Sequence, residues 1–192
     1  MGCQLILSAA TAIVPFIGAD GNPSTDVSRF SKVLDYIAIM NYDIWGPWTP
    51  VVGPNAPLDD SCTIPDYQIG SAVSAVDAWH SAGMPVSHIV LGVPAYGHSF
   101  SVPPADAFTD SSQTKLALYS KFDNNTHPPG DSWDDPAGVD TCGNVETAGG
   151  LWDMWAMIQA GYLNHDGTAA RGFAYRYDDC SQTVSTLRNI MS

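Results

Sequence analysis

The sequence is poor in positive charge. Its 192 residues include 7 Lys and Arg against 20 Asp and Glu, which gives a formal net charge of −13. This excess would repel the phosphates of nucleic acids and anionic membrane surfaces, so we expect neither as a partner. Six Trp and eight Tyr supply flat apolar faces, which suit a neutral ligand better than a charged one.

Several other motif classes are missing. The sequence has no glycine-rich phosphate loop of the G-x-G-x-x-G or Walker type, which argues against nucleotide binding. Its four cysteines lack C-x-x-C spacing, so we predict no metal site and no cofactor. Three disulfide pairings are possible among Cys3, Cys62, Cys142 and Cys180, and free thiols stay an alternative. No stretch is a convincing transmembrane span.

Short apolar runs alternate with helix-like patterns along the chain. The patterns predict strands at 5–11, 36–42, 88–94 and 172–177, and helices at 27–34, 68–82, 150–162 and 181–190. Strands that alternate with helices pair in parallel through right-handed crossovers. The predicted fold class is therefore α/β, as either an open doubly wound sheet or a β/α barrel. The polar region at about 99–149 is too long for an ordinary connection and is predicted to be an insertion.

Aromatic and acidic residues follow the predicted strands. In parallel β/α folds, functional side chains collect just past the carboxyl ends of the strands. These positions are occupied by Met40, Tyr42, Asp43, Tyr96 and Tyr175. The alternative is that Met40 and Tyr42, two apart on one strand face, are ordinary core residues.

Two tryptophans lie in the Gly- and Pro-rich loop after the second predicted strand. Trp45 and Trp48 are difficult to explain as core residues in such a loop, so they are candidates for stacking on a sugar. In contrast, the spacing of Trp152 and Trp155 fits the buried stripe of the predicted helix at 150–162.

Two motifs, M-N-Y-D at 40–43 and G-V-P-A-Y-G at 92–97, resemble those of glycoside hydrolase family 18, the fungal-type chitinases. The run D-Y-I-A-I-M-N-Y-D-I-W-G at 35–46 resembles the sixth barrel strand with its M-x-Y-D signature. The run I-V-L-G-V-P-A-Y-G-H-S-F at 89–100 is similar to the seventh strand and its G-x-P-x-Y-G turn. L-I-L-S-A-A-T at 5–11 resembles the fifth strand, while A-G-G-L-W-D-M-W and G-F-A-Y-R-Y-D-D resemble the last helix and the eighth strand.

This resemblance covers nearly the whole chain. It implies that residues 1–192 form part of a family 18 catalytic domain, a partial TIM (β/α)8 barrel with about strands 5 to 8. The insertion at about 99–149 would lie between the seventh strand and the last helix. A complete barrel needs about 250 residues, so we expect about half of one here, with edges through which the chain could self-associate.

The resemblance also implies an activity, the hydrolysis of β-1,4-linked N-acetylglucosamine in chitin by a substrate-assisted retaining mechanism. In that mechanism a Glu protonates the glycosidic oxygen, and the acetamide oxygen of the substrate attacks the anomeric carbon. By motif match, Tyr42 would hydrogen-bond the acetamide and Asp43 would bind the same sugar, both in supporting catalytic roles. The implied substrate-binding residues are Met40, Trp45, Trp48, Tyr96 and Tyr175.

Two positions depart from the family pattern. His98 stands where the family usually has Arg, which removes a permanent charge and a bidentate donor. The Trp expected beneath the reactive sugar is replaced by a tyrosine. Strand alternation places Tyr175 and Tyr177 on the same side, so the choice between them stays open.

The catalytic acid is not found in this sequence. The family carries it in a D-x-x-D-x-D-x-E motif on the fourth strand, whereas Glu146 is the single glutamate here and its context resembles no catalytic strand end. We therefore expect no chitinase activity from the chain alone. The alternatives are a non-catalytic protein that binds chitin or N-acetylglucosamine oligosaccharides, and an inactive truncated remnant.

The resemblance implies an extracellular protein. A single N-x-T sequon at Asn124 agrees with secretion. Residues 1–19 are apolar, but the first basic residue is Arg29, so the sequence shows no clear signal peptide.

Overall fold

The structure is a computed structural model that describes residues 5–188, so Cys3 and the end of the predicted terminal helix lie outside the described residues. The described chain forms two compact units. The first unit contains residues 5–44, 56–94 and 179–182, and the second contains residues 45–55, 95–178 and 183–188. Within the described residues, no helix is long and apolar enough to cross a membrane.

The first unit contains a three-stranded parallel sheet. Its strands are β1 (Ser8–Thr11), β2 (Tyr36–Met40) and β3 (Ile89–Gly92), in the order β1-β2-β3. Each strand is shorter than its predicted run, but the parallel pairing predicted from the sequence is confirmed for all three. The fold of this unit is therefore α/β.

The central strand β2 supplies the core through alternate residues. Ile37 and Ile39 are fully buried on one face of the sheet, against the helix α1 (Ala72–Ser81). Burying a side chain of this size contributes about 1.5–3 kcal/mol. Trp79 of α1 is also fully buried, and its indole Nε1 donates a hydrogen bond of 3.0 Å to the carbonyl oxygen of Ala12. The helix α1, which lies in the connection between β2 and β3, thus covers β2.

The ends of α1 follow from local sequence. Ser71 accepts from the backbone N–H of Ser74, and the Ser74 hydroxyl accepts from the backbone N–H of Ser71, which forms a capping box. The helix stops before Gly83, whose φ of 96° is easily adopted by glycine. The predicted helix at 68–82 is therefore confirmed from Ala72 onward. The one predicted at 27–34 is reduced to a 3₁₀ turn at Phe30–Lys32, and two further 3₁₀ turns lie at Pro65–Tyr67 and Val86–His88.

The second unit is built from antiparallel strand pairs and one short helix. β4 (Tyr96–His98) pairs with β7 (Leu151–Asp153), and α2 (Met154–Gln159) follows β7 directly. The other two pairs are β5 (Gly138–Val139) with β6 (Val145–Glu146), and β8 (Phe173–Asp178) with β9 (Thr183–Arg188).

The predicted terminal helix at 181–190 is wrong within the described residues. The segment forms β9, where the β-branched residues Thr183, Val184 and Thr186 favour a strand. The strand predicted at 172–177 exists as β8, but it pairs antiparallel with β9 and not with the parallel sheet.

The predicted helix at 150–162 is only partly present. Leu151 and Trp152 belong to β7, because this segment pairs with β4. Trp155 lies on α2 but is 44% exposed, so the buried helical stripe expected from the spacing is wrong. The helix α2 ends at Gln159, shortly before Gly161, whose φ of 74° is easily adopted by glycine.

A disulfide joins Cys62 to Cys180 within the first unit. Their Cα atoms are 5.9 Å apart, and 118 residues separate them in sequence. The backbone N–H of Leu58 donates to the carbonyl oxygen of Ser181 at 2.8 Å, so a hydrogen bond holds the same two segments together. Cys142 is an exposed free thiol.

We expect the double substitution Cys62→Ser/Cys180→Ser to lower the free energy of unfolding by about 2–4 kcal/mol. A cross-link that closes a loop of this length restricts the unfolded chain strongly. Urea unfolding followed by circular dichroism would measure the change. Cys142→Ser is the matched control and should leave the free energy of unfolding unchanged. Equal stability of the unchanged chain, the double variant and the control would contradict the expectation.

Candidate functional site

Met40 ends β2 on the face of the sheet opposite the core. Because Ile37 and Ile39 point into the core, alternation places Ala38 and Met40 on the other face. Met40 is 40% exposed, so it is not the ordinary core residue considered from the sequence. Val90, the partner of Ala38 on β3, is 49% exposed on this same face.

Tyr42 lies over the end of the neighbouring strand. Gly92 pairs with Met40, and a Cβ atom added to Gly92 would lie 3.1 Å from Cε1 of Tyr42 and 2.8 Å from the carbonyl oxygen of Ile39. The absence of a side chain at Gly92 therefore leaves the space that the Tyr42 ring occupies. The motif tyrosine lies at the carboxyl ends of β2 and β3, as expected from its position just past a strand.

Asp43 follows in a left-handed backbone conformation, with a φ of 57°. This conformation is uncommon outside glycine, although aspartate tolerates it better than most residues. It turns the chain sharply after the strand and leaves the Asp43 side chain exposed. Such backbone outliers cluster at functional sites.

Asn41, which the sequence reasoning passed over, is the fourth residue of interest here. It is 2% exposed, and its side-chain oxygen Oδ1 has no hydrogen-bond partner among the described residues. A buried acceptor without a donor costs free energy, which a donor on a ligand would recover. In the sequence, the only feature that pointed to Asn41 was its place between Met40 and Tyr42, at the variable position of M-x-Y-D.

In the second unit, the two loop tryptophans differ in burial. Trp45 is only 2% exposed, its ring centroid lies 5.3 Å from that of Tyr119, and a Cβ on Gly53 would clash with its indole. The interpretation that Trp45 is not a core residue is therefore wrong. Its assignment to substrate binding stays a prediction.

Trp48 is 62% exposed on the same loop. Its indole lies over Gly46, where a Cβ would clash with the ring. The buried hydroxyl of Thr49 lies 2.6 and 2.8 Å from the carbonyl oxygens of Gly46 and Val51 and shares its one hydrogen between them, which fixes the loop beneath the indole. An exposed ring on a fixed loop is suited to binding a flat apolar face of a ligand.

Three rings of the second unit form what we call the aromatic row: Trp48, His98 and Tyr96. The centroids of Trp48 and His98 are 5.3 Å apart, and those of His98 and Tyr96 are 6.0 Å apart, both with edge-on geometry. The side-chain amide of Asn55 donates to the carbonyl oxygen of Tyr96 at 3.0 Å, which ties the loop to β4. The structure thus brings together two of the predicted residues with His98, which the sequence had singled out only as a departure from the family pattern.

A carboxylate holds the strand that pairs with β4. Asp131 accepts from the backbone N–H groups of Asp153 and Trp133 at 2.7 and 2.8 Å. These two hydrogen bonds lower the pKa of the Asp131 carboxyl, and the bond from the Asp153 N–H has the larger effect. The carboxylate stays charged at neutral pH and keeps β7 in place beside Tyr96.

The last predicted residue, Tyr175, lies on β8 and is 46% exposed. Tyr177 is 43% exposed, and both are two apart on one strand, as expected from alternation. The neighbouring Arg176 donates from its guanidinium to the carbonyl oxygen of Leu116 at 2.5 Å, which anchors the strand. The role of either tyrosine stays a prediction.

Comparison with known proteins identifies the family. The sequence model of glycosyl hydrolases family 18 matches residues 2–185, so the chain belongs to this family. A chitinase-like effector of Moniliophthora roreri is 59% identical over 180 residues, which cover 94% of this chain and 44% of that protein. The chain therefore spans less than half the length of this relative.

Two solved structures are similar in fold. A chitinase from Rhizomucor miehei has a TM-score of 0.81 and 29% identity, over 98% of this chain and 49% of that one. The class V chitinase of Nicotiana tobaccum in complex with NAG4 has a TM-score of 0.61 and 21% identity, over 96% of this chain and 42% of that one, and shows likeness of fold alone. Both comparisons agree with the α/β class.

We expect Gly92→Ala to destabilise the first unit by about 1–3 kcal/mol, because the new methyl group would meet the Ile39 carbonyl and the Tyr42 ring. Thermal unfolding followed by tyrosine and tryptophan fluorescence would measure this. Gly97→Ala on β4 is the matched control, since a Cβ there meets nothing within 4 Å. Equal loss in both variants would contradict the contact between Gly92 and Tyr42.

Proposed function

We propose that this chain is part of a secreted, chitinase-like protein that binds chitin or N-acetylglucosamine oligosaccharides. By itself, the chain does not hydrolyse them. Membership of family 18 supports the ligand class, as does the tobacco chitinase of the same fold, which is complexed with NAG4. The name of the Moniliophthora roreri relative, a chitinase-like effector, agrees with a role other than catalysis.

The observation that carries this proposal is the aromatic row. Neutral sugars are held by the apolar faces of aromatic rings together with hydrogen bonds from nearby polar groups. Trp48 offers an exposed indole face, and the rings of His98 and Tyr96 extend the row along β4. The row contains no carboxylate or guanidinium group, which fits an uncharged ligand.

The sheet β1-β2-β3 supports a further part of the proposal, that the first unit is an arc of a TIM barrel. Its three parallel strands would correspond to the fifth, sixth and seventh barrel strands of the family. In a TIM barrel the residues at the carboxyl ends of the strands contact the substrate. Tyr42 would then hydrogen-bond the acetamide group and Asp43 the same sugar, with Met40 lining the floor.

Two proposed contacts have weaker physical support. Trp45 would act through its packing, because its buried indole holds the loop that carries Trp48. Tyr175 would add an aromatic contact from β8, where the residue is 46% exposed. The insertion at about 99–149, which carries β5 and β6, would form part of the wall beside the ligand.

Glu146 does not provide a general acid. A general acid must reach the glycosidic oxygen within a site that excludes water. Glu146 is exposed on the two-residue strand β6, where it pairs with Gly138. The chain therefore contains binding residues of the family without a glutamate placed to protonate the leaving group.

We expect the chain alone to release no chitobiose from colloidal chitin above the buffer level, because loss of general acid catalysis typically costs on the order of 10²–10⁴-fold in rate. Chromatography of the soluble products would measure this, with a complete family 18 chitinase as the positive control. Glu146→Gln should give the same result as the unchanged chain. Release that depends on Glu146 would contradict the proposal.

We expect Trp48→Ala to weaken binding of N-acetylglucosamine oligomers by roughly tenfold or more, since a central aromatic contact is typically worth over about 1 kcal/mol. Titration of the oligomers followed by calorimetry, together with capture on chitin beads, would measure this. Trp133→Ala is the matched control, because this indole is 81% exposed and lies outside the aromatic row.

Two results would count against this assignment. If both tryptophan variants bind as the unchanged chain does, binding does not use the aromatic row. If the unchanged, folded chain binds no oligomer and no chitin, the remnant interpretation replaces the binding one.

A further inference from the structure

We propose that Asn124 carries an N-linked glycan whose first N-acetylglucosamine packs on the ring of Phe122. Asn124, Asn125 and Thr126 form the single N-x-T sequon of the sequence. A sequon alone is weak, since many occur by chance and stay unmodified. The inference depends on the geometry around this one, and it rests on the secretion included in the proposed function.

The sequon lies on an exposed turn that its own residues stabilise. Asp123 accepts from the backbone N–H of Asn125 at 3.0 Å and from the hydroxyl of Thr126 at 2.7 Å. The backbone N–H of Thr126 donates to the Asp123 carbonyl oxygen at 3.2 Å, which closes the turn. Asn124 thus lies at the turn's first central position with an exposed side chain, where the folded chain leaves room for a glycan.

An aromatic pair lies beside the turn. The rings of Phe122 and Phe100 meet edge to face with centroids 4.9 Å apart, and both are half-buried. Phe122, Asn124 and Thr126 line the same shallow depression. Asn124 comes two positions after Phe122 and lines the same depression, so a sugar attached to Asn124 would lie against the Phe122 ring. Covering this ring would remove apolar surface from water.

A polar group in the same depression lacks a partner. The hydroxyl oxygen of Ser99 is buried and makes no hydrogen bond within the described residues. A sugar hydroxyl or acetamide group in the depression would supply one, directly or through a water molecule. Beside the sequon, the depression therefore offers an aromatic ring for apolar contact and a hydroxyl without a partner.

The modification is a transfer from a lipid diphosphate-linked oligosaccharide, catalysed by the glycosylation machinery of the secretory pathway. The Asn124 side-chain nitrogen forms a bond to C1 of the first N-acetylglucosamine. The bond between that carbon and the phosphate oxygen breaks, the lipid diphosphate leaves, and the amide nitrogen loses one proton. The rest of the chain is unchanged.

The test is to secrete the full chain from a eukaryotic host under a foreign signal sequence, so that the outcome does not depend on how the protein is naturally exported. Treating its peptides with a glycan-releasing amidase in heavy-oxygen water converts a glycosylated Asn124 to labelled aspartate, which mass spectrometry detects. We expect most of the secreted chain to be labelled. Asn124→Gln should remove the label, whereas Asn125→Gln keeps the sequon and should retain it. Unmodified Asn124 in the secreted chain would overturn the proposal and leave the oligosaccharide-binding proposal standing.

The contact with Phe122 has its own measurement. We expect the glycosylated chain to melt about 2–4 °C above the same chain after enzymatic removal of the glycan, a shift ordinary for one added contact in a chain of this size. In Phe122→Leu, which keeps an apolar side chain without the flat ring, most of this difference should disappear while the sequon remains. An equal difference in both proteins, or none in the unchanged chain, would overturn the packing of the sugar on Phe122.

Discussion

The parallel pairing of β2 with both neighbours is the constraint on which the first unit depends. Parallel strands cannot be joined by a tight turn, so the chain must leave the sheet and return after each strand. The second of these crossovers carries α1, and Trp79 on it covers Ile37 and Ile39. Because parallel strands end at the same edge, this pairing also brings Tyr42 over Gly92. The core of the first unit and the position of Tyr42 are thus two consequences of one strand order.

The acidic excess has a structural role in the loops. Hydrogen bonds from nearby backbone and side-chain donors lower the pKa of eight exposed or half-buried aspartates: Asp20, Asp26, Asp59, Asp110, Asp123, Asp131, Asp140 and Asp166. An aspartate whose pKa is lowered in the folded state stabilises the fold at pH values above its ordinary pKa near 3.8. This contribution is lost as the pH falls through the lowered pKa. Much of the negative charge therefore closes turns, where aspartate competes well with the backbone. No cationic partner is needed to explain this excess of negative charge.

The parts of the fold that could be predicted from the sequence are those set by local pattern. The three parallel strands are apolar runs bounded by polar residues, and α1 ends where Gly83 allows the left-handed turn. The errors fall where a distant segment decides the structure. Trp152 and Trp155 have helical spacing, but pairing with β4 makes Trp152 part of a strand. Likewise, the segment predicted as a helix at 181–190 forms β9 from Thr183 onward, because pairing with β8 outweighs its local pattern.

The loop tryptophans show the same limit within the candidate site. Trp45 and Trp48 have the same side chain in the same Gly- and Pro-rich loop, so composition makes both equal candidates for a sugar contact. The structure separates them through residues far along the chain, since Tyr119 packs on Trp45 while the backbone N–H of Val52 donates to the carbonyl oxygen of Ser120 at 2.8 Å. These contacts bury one indole and hold the loop so that the other is exposed beside His98. Because the loop is already ordered, binding of a ligand does not cost the conformational entropy of ordering it. A single exposed ring on such a loop can therefore contribute to binding.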